Sequence, residues 1–501
     1  MPDSYKALHN RLQYLHRLNS VSDLLGWDEQ VNLPRESSGF RGEQSAFLSE
    51  LLHREAVSPA TEAALNEAEA EIDSGNLSSE QKLVIGQARK EFDRKQRLPS
   101  EFAARKAEAQ SRAYHGWAEA REKADFNSFA PLLKEQVELA KEEANYQGFS
   151  GGAAYDYWID QFDPGMSANI IGGLFDDLVY DLAPFVKAII ASPITARPEL
   201  LKGFPVDSQE LFLKSVIQNL GFDFSRGRLD KSIHPFCSGC GLDTRMTTRF
   251  FEDNPLDSLF SSIHETGHGL YEQGLLSQEI GNALGTAAGM AAHESQSRLW
   301  ENQVARSRPF WEFWEPKYRE IFGEQLKSIS SHDLYLAINA VSAIPVRVDS
   351  DEVTYNLHIV MRFEIERGLF SGDISVEEIP QIWNELSLKY LSLTPENDKE
   401  GCLQDVHWSG GAFGYFPSYC IGNMLAAQIW QKVNEDLPDL EENISKGDSS
   451  PLLSWLRHNI HSKGMQLNAS TLATHVTGQP LSSKPLMQYL KNRYGSLYSV
   501  S

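Results

Sequence analysis

In the stretch "SSIHETGHGLYEQ", residues 261–273, two histidines stand four positions apart with a glutamate directly after the first. Positions i and i+4 of a helix share one face, so His264 and His268 can each turn an imidazole nitrogen toward one ion about 2.0–2.1 Å away. Glu265 lies about 100° around the axis from His264. That puts its carboxylate beside the ion rather than on it, where it can hold a water and take its proton. Gly267, between the two histidines, leaves room for a neighbouring element at a cost of about 1 kcal/mol in helix propensity. A hydrolytic metal site has three protein ligands and an open position. "AAHESQSRLW" offers the third ligand as Glu294, with 25 residues between it and His268, enough for a turn and a second antiparallel helix. His293 competes for the same place, but adjacent helical residues point about 100° apart, so only one of the two reaches the ion. Arg298, one turn after Glu294, is placed to pair with it or with another acidic neighbour. The chemistry this pattern supports is metal-assisted hydrolysis. The bland alternative is a pair of satisfied helix histidines with an exposed glutamate.

Helices must position these residues. Apolar residues recur at i, i+3, i+4 and i+7 through most of the chain, as in "QKLVIGQARKEFDRKQRL" and "LLKEQVELAKEEANY", with Pro and Gly at the breaks. The expected fold is mainly α. Residues 79–147 read as long, largely solvent-facing helices interrupted near Pro99 and Pro131, forming an outer wall. The segment "PLDSLFSSIHETGHGLYEQGL" predicts a helix capped by Asp257 or Ser258 and stopped at Gly274, which places His264 to His268 in its middle. The best strand pattern is "TRMTTRFFED", preceded by "CSGCGLD", read as a tight turn, so a small sheet is expected next to the His-Glu segment. "DEVTYNLHIVMRFEIE" reads as a buried helix with His358 facing the core.

Composition narrows the function classes. A formal net charge of −23 disfavours nucleic-acid and anionic-membrane partners. A hydrophobic content of 41% supplies a sizeable core and argues against disorder. Four cysteines are too few for a disulfide framework in a chain of this length, so a reducing, cytoplasmic location is expected. The charged N-terminal segment has no signal-peptide core, and no stretch reads as a membrane span. Cys237 and Cys240 lack the second pair that a structural zinc needs. Without repeats or long linkers, residues 1–501 read as one continuous architecture rather than separable modules.

Six short blocks in order carry a resemblance: "HPF" at 234–236, "DTRMT" at 243–247, "HETGH" at 264–268, "HESQ" at 293–296, "VRVDSD" at 346–351 and "GCLQDVHW" at 401–408. Together they resemble the carboxypeptidase Taq family of zinc metallocarboxypeptidases, and the two ends of the chain are similar to the family's as well. One departure is Val346, where the family has Ile or Asn before the Arg; the apolar character is kept.

The resemblance implies a mainly helical fold with a deep central groove, a homodimer, and release of C-terminal amino acids from peptides with broad specificity. With the chain's continuous architecture, it implies one catalytic domain over residues 1–501, with an N-terminal helical wall over about 1–150 and a metal and groove region over about 200–430. It implies one divalent ion per subunit, Zn2+ with Co2+ as a possibility, on His264, His268 and Glu294, and Glu265 as the base that activates water. A carboxypeptidase must bind a free carboxylate, which a planar Arg fork does best. Arg347 is favoured for that role, with Arg245 lining or closing the groove; salt bridges to Asp351 and Asp243 are the structural alternatives. His407 and Tyr419, with Tyr415 beside them, match the donors that related helical zinc oligopeptidases use to stabilise an oxyanion. His234 lies in a block that the family places near the groove. The rival reading is an endo-oligopeptidase or dipeptidyl-type zinc peptidase with the same helical groove.

Overall fold

The computed structural model describes residues 2–500. The chain opens with α1 (Asp3–Val31), α2 (Ser38–Ala56) and α3 (Pro59–Ala70). Ser58 starts α3 by accepting the Thr61 N–H, with Pro59 at the first helical position, where its missing N–H costs nothing. Ser78 and Gln81 form a reciprocal capping box at the start of α4 (Ser79–Arg97). The helix ends before Pro99, as expected. Pro131, however, does not break a helix. It lies inside α6 (Phe126–Tyr146), and α5 (Ser100–Lys123) ends instead at Ala124, which takes a left-handed φ of 52°. Tyr5, Leu8, Leu65, Val84 and Phe92 form a core between α1, α3 and α4, closed by Ala283 and Leu284 from far along the chain. α1, α3 and α4 thus share a small core of their own. By contrast α6 buries Phe126, Phe129, Leu133 and Val137 in the main core, so the solvent-facing description fails there.

After α7 (Ala153–Phe162), α8 (Ala168–Ile190) and α9 (Val206–Asn219) comes a small sheet of β1 (Gly227–Lys231), β2 (Phe236–Cys240) and β3 (Asp243–Thr248), in the order β1-β3-β2. β1 runs parallel to β3 with Gly227 opposite Thr244, and β2 antiparallel to it with Phe236 opposite Thr247. The "CSGC" segment is thus strand β2, not a turn; the reversal falls at Gly241 and Leu242, between the strands. Alternation then sends Cys237 and Cys240, an odd number of positions apart, to opposite faces of the sheet. They cannot share an ion, and both are free thiols.

The sheet leads into α10 (Pro255–Gly274), which carries the two histidines. It starts earlier than its expected cap: Asn254 precedes the helix, and Pro255 takes the first position, where proline is preorganised. It ends at Gly274, where a Cβ would stand 2.1 Å from His461 Nδ1. Next comes α11 (Met290–Arg298), which runs straight into a π-helical turn, Leu299–Val304. A Cβ on Gly267 would lie 2.5 Å from the Ser297 Cα, so this glycine lets the backbones of α10 and α11 meet. Then follow α12 (Arg308–Ile321), α13 (Gly323–Leu326), α14 (Ser331–Ile338), the buried α15 (Tyr355–Ser371), α16 (Ile379–Leu391) and α17 (Pro417–Asp436). Gly422 of α17 admits Glu294 in the same way, 2.7 Å from where a Cβ would be. α11 is therefore clamped between α10 and α17.

Candidate active site

α10 and α11 bring three donor atoms, from His264, His268 and Glu294, within 4.8 Å of one another. The Nε2 atoms of His264 and His268 are each 3.4 Å from Glu294 Oε2. Arg298 donates its Nε–H to the other oxygen, Oε1, at 2.7 Å, the pairing that its spacing suggested, and Ser297 donates to Oε2 at 2.9 Å. Burial works against the Glu294 carboxylate, yet Arg298 and His264 outweigh it and hold it well below its usual range. Burial also opposes a charged His264, but Glu294 and Glu301 carry it up to about 10; His268, with burial dominant, is pushed down to about 3. Two neutral-capable nitrogens and one carboxylate oxygen facing one point fit a divalent ion.

His293 does not join the donors. Its Nδ1 lies 2.6 Å from His268 Nδ1, and its Nε2 is 2.9 Å from Glu272 Oε1. His264 Nδ1 is 2.9 Å from Glu301 Oε2. Glu272 and Glu301 were not singled out from sequence, although both spacings were visible: Glu272 is one turn after His268, and Glu301 two turns after Glu294.

Glu265 is 7% exposed, and its carboxyl is pushed up to about 7, chiefly by burial. The Cys237 thiol, near Glu265 and Glu272, is raised well above its ordinary value by burial and those charges, so it stays protonated and is no nucleophile.

Around Glu294 stand Tyr355, Tyr415 and Tyr419. The Arg298 guanidinium sits 4.5 Å over the Tyr355 ring, and the Tyr415 and Tyr419 rings meet edge to face at 5.3 Å. Burial raises the Tyr419 hydroxyl well above its ordinary value, so it remains a donor. The His407 ring lies 5.5 Å from that of Tyr415, and burial pushes its pKa down to about 4, so it is neutral. The structure therefore gathers His407, Tyr415 and Tyr419 on one side.

Arg347 is not paired with Asp351, whose Oδ1 instead accepts the Val353 and Thr354 N–H groups. Its Nε and Nη2 donate to Asp405 Oδ1 at 3.0 and 2.8 Å, and its Nη1 to the Tyr355 hydroxyl at 3.0 Å. Arg362, fully buried, donates its Nε–H to Asp405 Oδ2 at 2.7 Å, while Gln404 Oε1 accepts from the Arg347 backbone and from Arg362. Two guanidiniums on one carboxylate leave a net positive charge. Tyr355 as a partner of Arg347, and Arg362 as a second partner of Asp405, had no separate signal in the sequence. Arg245 holds Asp243 with two bonds of 2.9 Å and stacks 4.3 Å from the Trp27 ring of α1, tying the wall to the sheet. His234 is exposed between β1 and β2, and its carbonyl accepts the Ser232 hydroxyl.

Two imidazoles and a carboxylate converging on one point, a buried carboxyl alongside, and helices enclosing them define a helical metallopeptidase. A sequence profile of the carboxypeptidase Taq (M32) metallopeptidase family matches residues 7–494. The chain is 38% identical to thermostable carboxypeptidase 1 of Thermus thermophilus, over 98% of this chain and 99% of that one. It is 35% identical to carboxypeptidase 1 of Bacillus subtilis, over 98% of both. The crystal structure of an M32 carboxypeptidase from Deinococcus radiodurans R1 superposes with a TM-score of 0.96 at 37% identity, covering all of both chains. The chain belongs to the carboxypeptidase Taq family and is a metallocarboxypeptidase. That membership favours removal of C-terminal residues over the endopeptidase alternative.

Proposed function

We propose that the chain releases single C-terminal amino acids from peptides, with broad specificity, using one Zn2+ per subunit held by His264, His268 and Glu294; Co2+ can replace it. The observation that carries this reading is the convergence of those three donors within 4.8 Å beside the buried Glu265. When bound, the ion supplies Lewis-acid polarisation of the scissile carbonyl and acidifies a water.

The protein's own residues do the rest. Glu265 accepts a proton from the attacking water and passes it to the leaving amine nitrogen as the C–N bond breaks. Its carboxyl value of about 7 lets it exchange a proton near neutrality, and a cation nearby draws that value down toward the ordinary range. His407 and Tyr419, with Tyr415 behind them, are placed to donate hydrogen bonds to the oxygen that gains charge during attack. Arg347 binds the substrate's terminal carboxylate. The support for this is the surplus positive charge of Arg347 and Arg362 around Asp405, which only Arg347 can present, since Arg362 is 0% exposed. Arg245 and His234 line the groove.

Residues 1–501 act as one catalytic domain, with 1–150 as wall and 200–430 as metal and groove region. The chain works as a cytoplasmic homodimer, without nucleic-acid or membrane partners. The low cysteine count and the charge of −23 support the location and the partners, and family likeness supports the dimer.

The deciding experiment measures metal content and C-terminal amino-acid release for the wild type and Glu265→Gln. The variant keeps the three ligands and is expected to retain metal while losing turnover. Turnover at the wild-type rate would remove Glu265 from the mechanism.

A further inference from the structure

The two histidines facing the metal position are held by different devices on their far sides. His264 meets a carboxylate directly: its Nδ1 is 2.9 Å from Glu301 Oε2. His268 meets one through an intermediary, with its Nδ1 2.6 Å from His293 Nδ1 and His293 Nε2 2.9 Å from Glu272 Oε1. We infer that Glu301, and the His293–Glu272 dyad, are positioning residues that fix the tautomer and orientation of His264 and His268 for metal capture. The inference rests on the proposed ligand set and adds to it residues on three different parts of α10, α11 and the π-helical turn.

Hydrogen-bond bookkeeping makes the arrangement directional. A histidine that gives an Nε2 lone pair to an ion carries its proton on Nδ1. For His264 that proton points at Glu301. For His268 it points at His293 Nδ1, which can accept it only if the His293 proton is on Nε2. There it faces Glu272, a carboxylate, which accepts. With both imidazoles neutral and Glu272 ionised, only one assignment of protons satisfies the three groups, and it leaves the His268 Nε2 lone pair facing the site. Removing either carboxylate frees the imidazole to take the tautomer that carries its proton on Nε2 and cannot bind.

The backbone places both devices. Glu301 lies in the π-helical turn Leu299–Val304, directly after the end of α11. That turn carries Glu301 back to His264, and Arg298 and Arg306 steady its carboxylate at 3.2 and 3.4 Å. The His293 ring packs against those of His268 and Tyr271 at 4.6 and 5.2 Å, which restrains its flip. His293, the rival for the third ligand in the sequence, therefore serves the site from behind.

The test is zinc affinity, measured by competition with a chromophoric chelator, together with the visible spectrum of the Co2+ form. It compares wild type with Glu301→Gln, Glu272→Gln and the double variant. Each single change is expected to weaken zinc by about 10- to 100-fold, the two losses to multiply because they act on different ligands, and the cobalt bands to shift. Glu301→Asp and Glu272→Asp, which keep charge but shorten reach, stand in for any glutamine variant that does not fold, with the same loss expected. Unchanged zinc affinity and an unchanged cobalt spectrum in folded variants would overturn the inference. Glu294→Ala is the separate control: if it binds zinc as wild type does, the ligand set itself is wrong.

Discussion

Arg347→Ala tests how the site recognises the end of its substrate. Asp405 accepts from both Arg347 and Arg362, so the trio has a net charge of one positive unit. A guanidinium has five N–H groups. Arg347 spends two on Asp405 and one on Tyr355, which leaves two directed elsewhere. A hydrogen bond to a charged partner contributes about 1.5–3 kcal/mol, which corresponds to about 10- to 150-fold in kcat/KM. The loss should fall mainly on KM for an N-blocked dipeptide with a free C-terminus. Stability should fall by about 1–3 kcal/mol, because Asp405 Oδ1 loses both of its donors, while the Arg362 Nε–H at 2.7 Å from Oδ2 keeps the carboxylate from becoming an unpaired buried charge. Arg347→Lys restores the charge without the fork and should recover only part of the loss. The assay compares kcat/KM for the free acid and the C-terminal amide, with the urea midpoint as a check on folding. The wild type should prefer the free acid strongly, and Arg347→Ala should lose most of that preference. If a folded Arg347→Ala enzyme keeps the full preference, the carboxylate is bound elsewhere and the charge argument fails.

Tyr419→Phe removes a donor and leaves the ring, so kcat should drop by roughly 10²–10³ with KM little changed; an unchanged kcat would take Tyr419 out of the mechanism. Gly267→Ala puts a Cβ 2.5 Å from the Ser297 Cα, where both neighbours are helix backbone. α10 and α11 must then part, with a cost of at least about 1–3 kcal/mol and a measurable loss of zinc affinity; wild-type affinity in the variant would contradict the close-contact account. Asp163, 2% exposed, accepts the Ala291 N–H at 2.7 Å and the Ser418 hydroxyl at 2.6 Å, and burial raises it from 3.8 to about 6. Because the folded value is the higher one, its contribution is fully present below about pH 4 and is lost as pH rises through 6. That rise corresponds to about 3 kcal/mol. Asp163→Asn does not titrate, so urea unfolding of wild type and variant should diverge between about pH 4 and 6, with wild type losing relative stability, and run parallel above that; profiles parallel throughout would refute the shift.

The legible part of the site is the part with local spacing. His264 and His268 share a helix face because 3.6 residues make a turn, and Glu265 follows from the same geometry. Gly267 signalled a close neighbour, and that neighbour is the backbone of α11 at Ser297. Capping was less legible. Asp257 and Ser258 are good caps by type, but Pro255 sets the start of α10 one turn earlier. "CSGC" looked like a turn because Gly and Ser favour turns, yet pairing with β3 holds it as a strand through Cys240. Pro131 looked like a break, but the extensive burial of α6 outweighs one missing hydrogen bond.

The amino-acid order alone determined the chemistry available: two imidazoles and a base on one helix, a glutamate after a connecting turn, an arginine one turn beyond it, and a mainly helical chain to carry them. These are relations over a few residues, which helical periodicity dictates wherever the helix ends up. Tertiary structure decided which groups share a charge or a proton. Arg347 reaches Asp405, 58 positions away, rather than the nearby Asp351, and His268 reaches His293 across 25. Those choices depend on how α10, α11, α15 and α17 pack, where glycines at 267 and 422 allow backbones to touch. No spacing in the sequence encodes that distance, because it is the sum of many contacts rather than a property of any one segment.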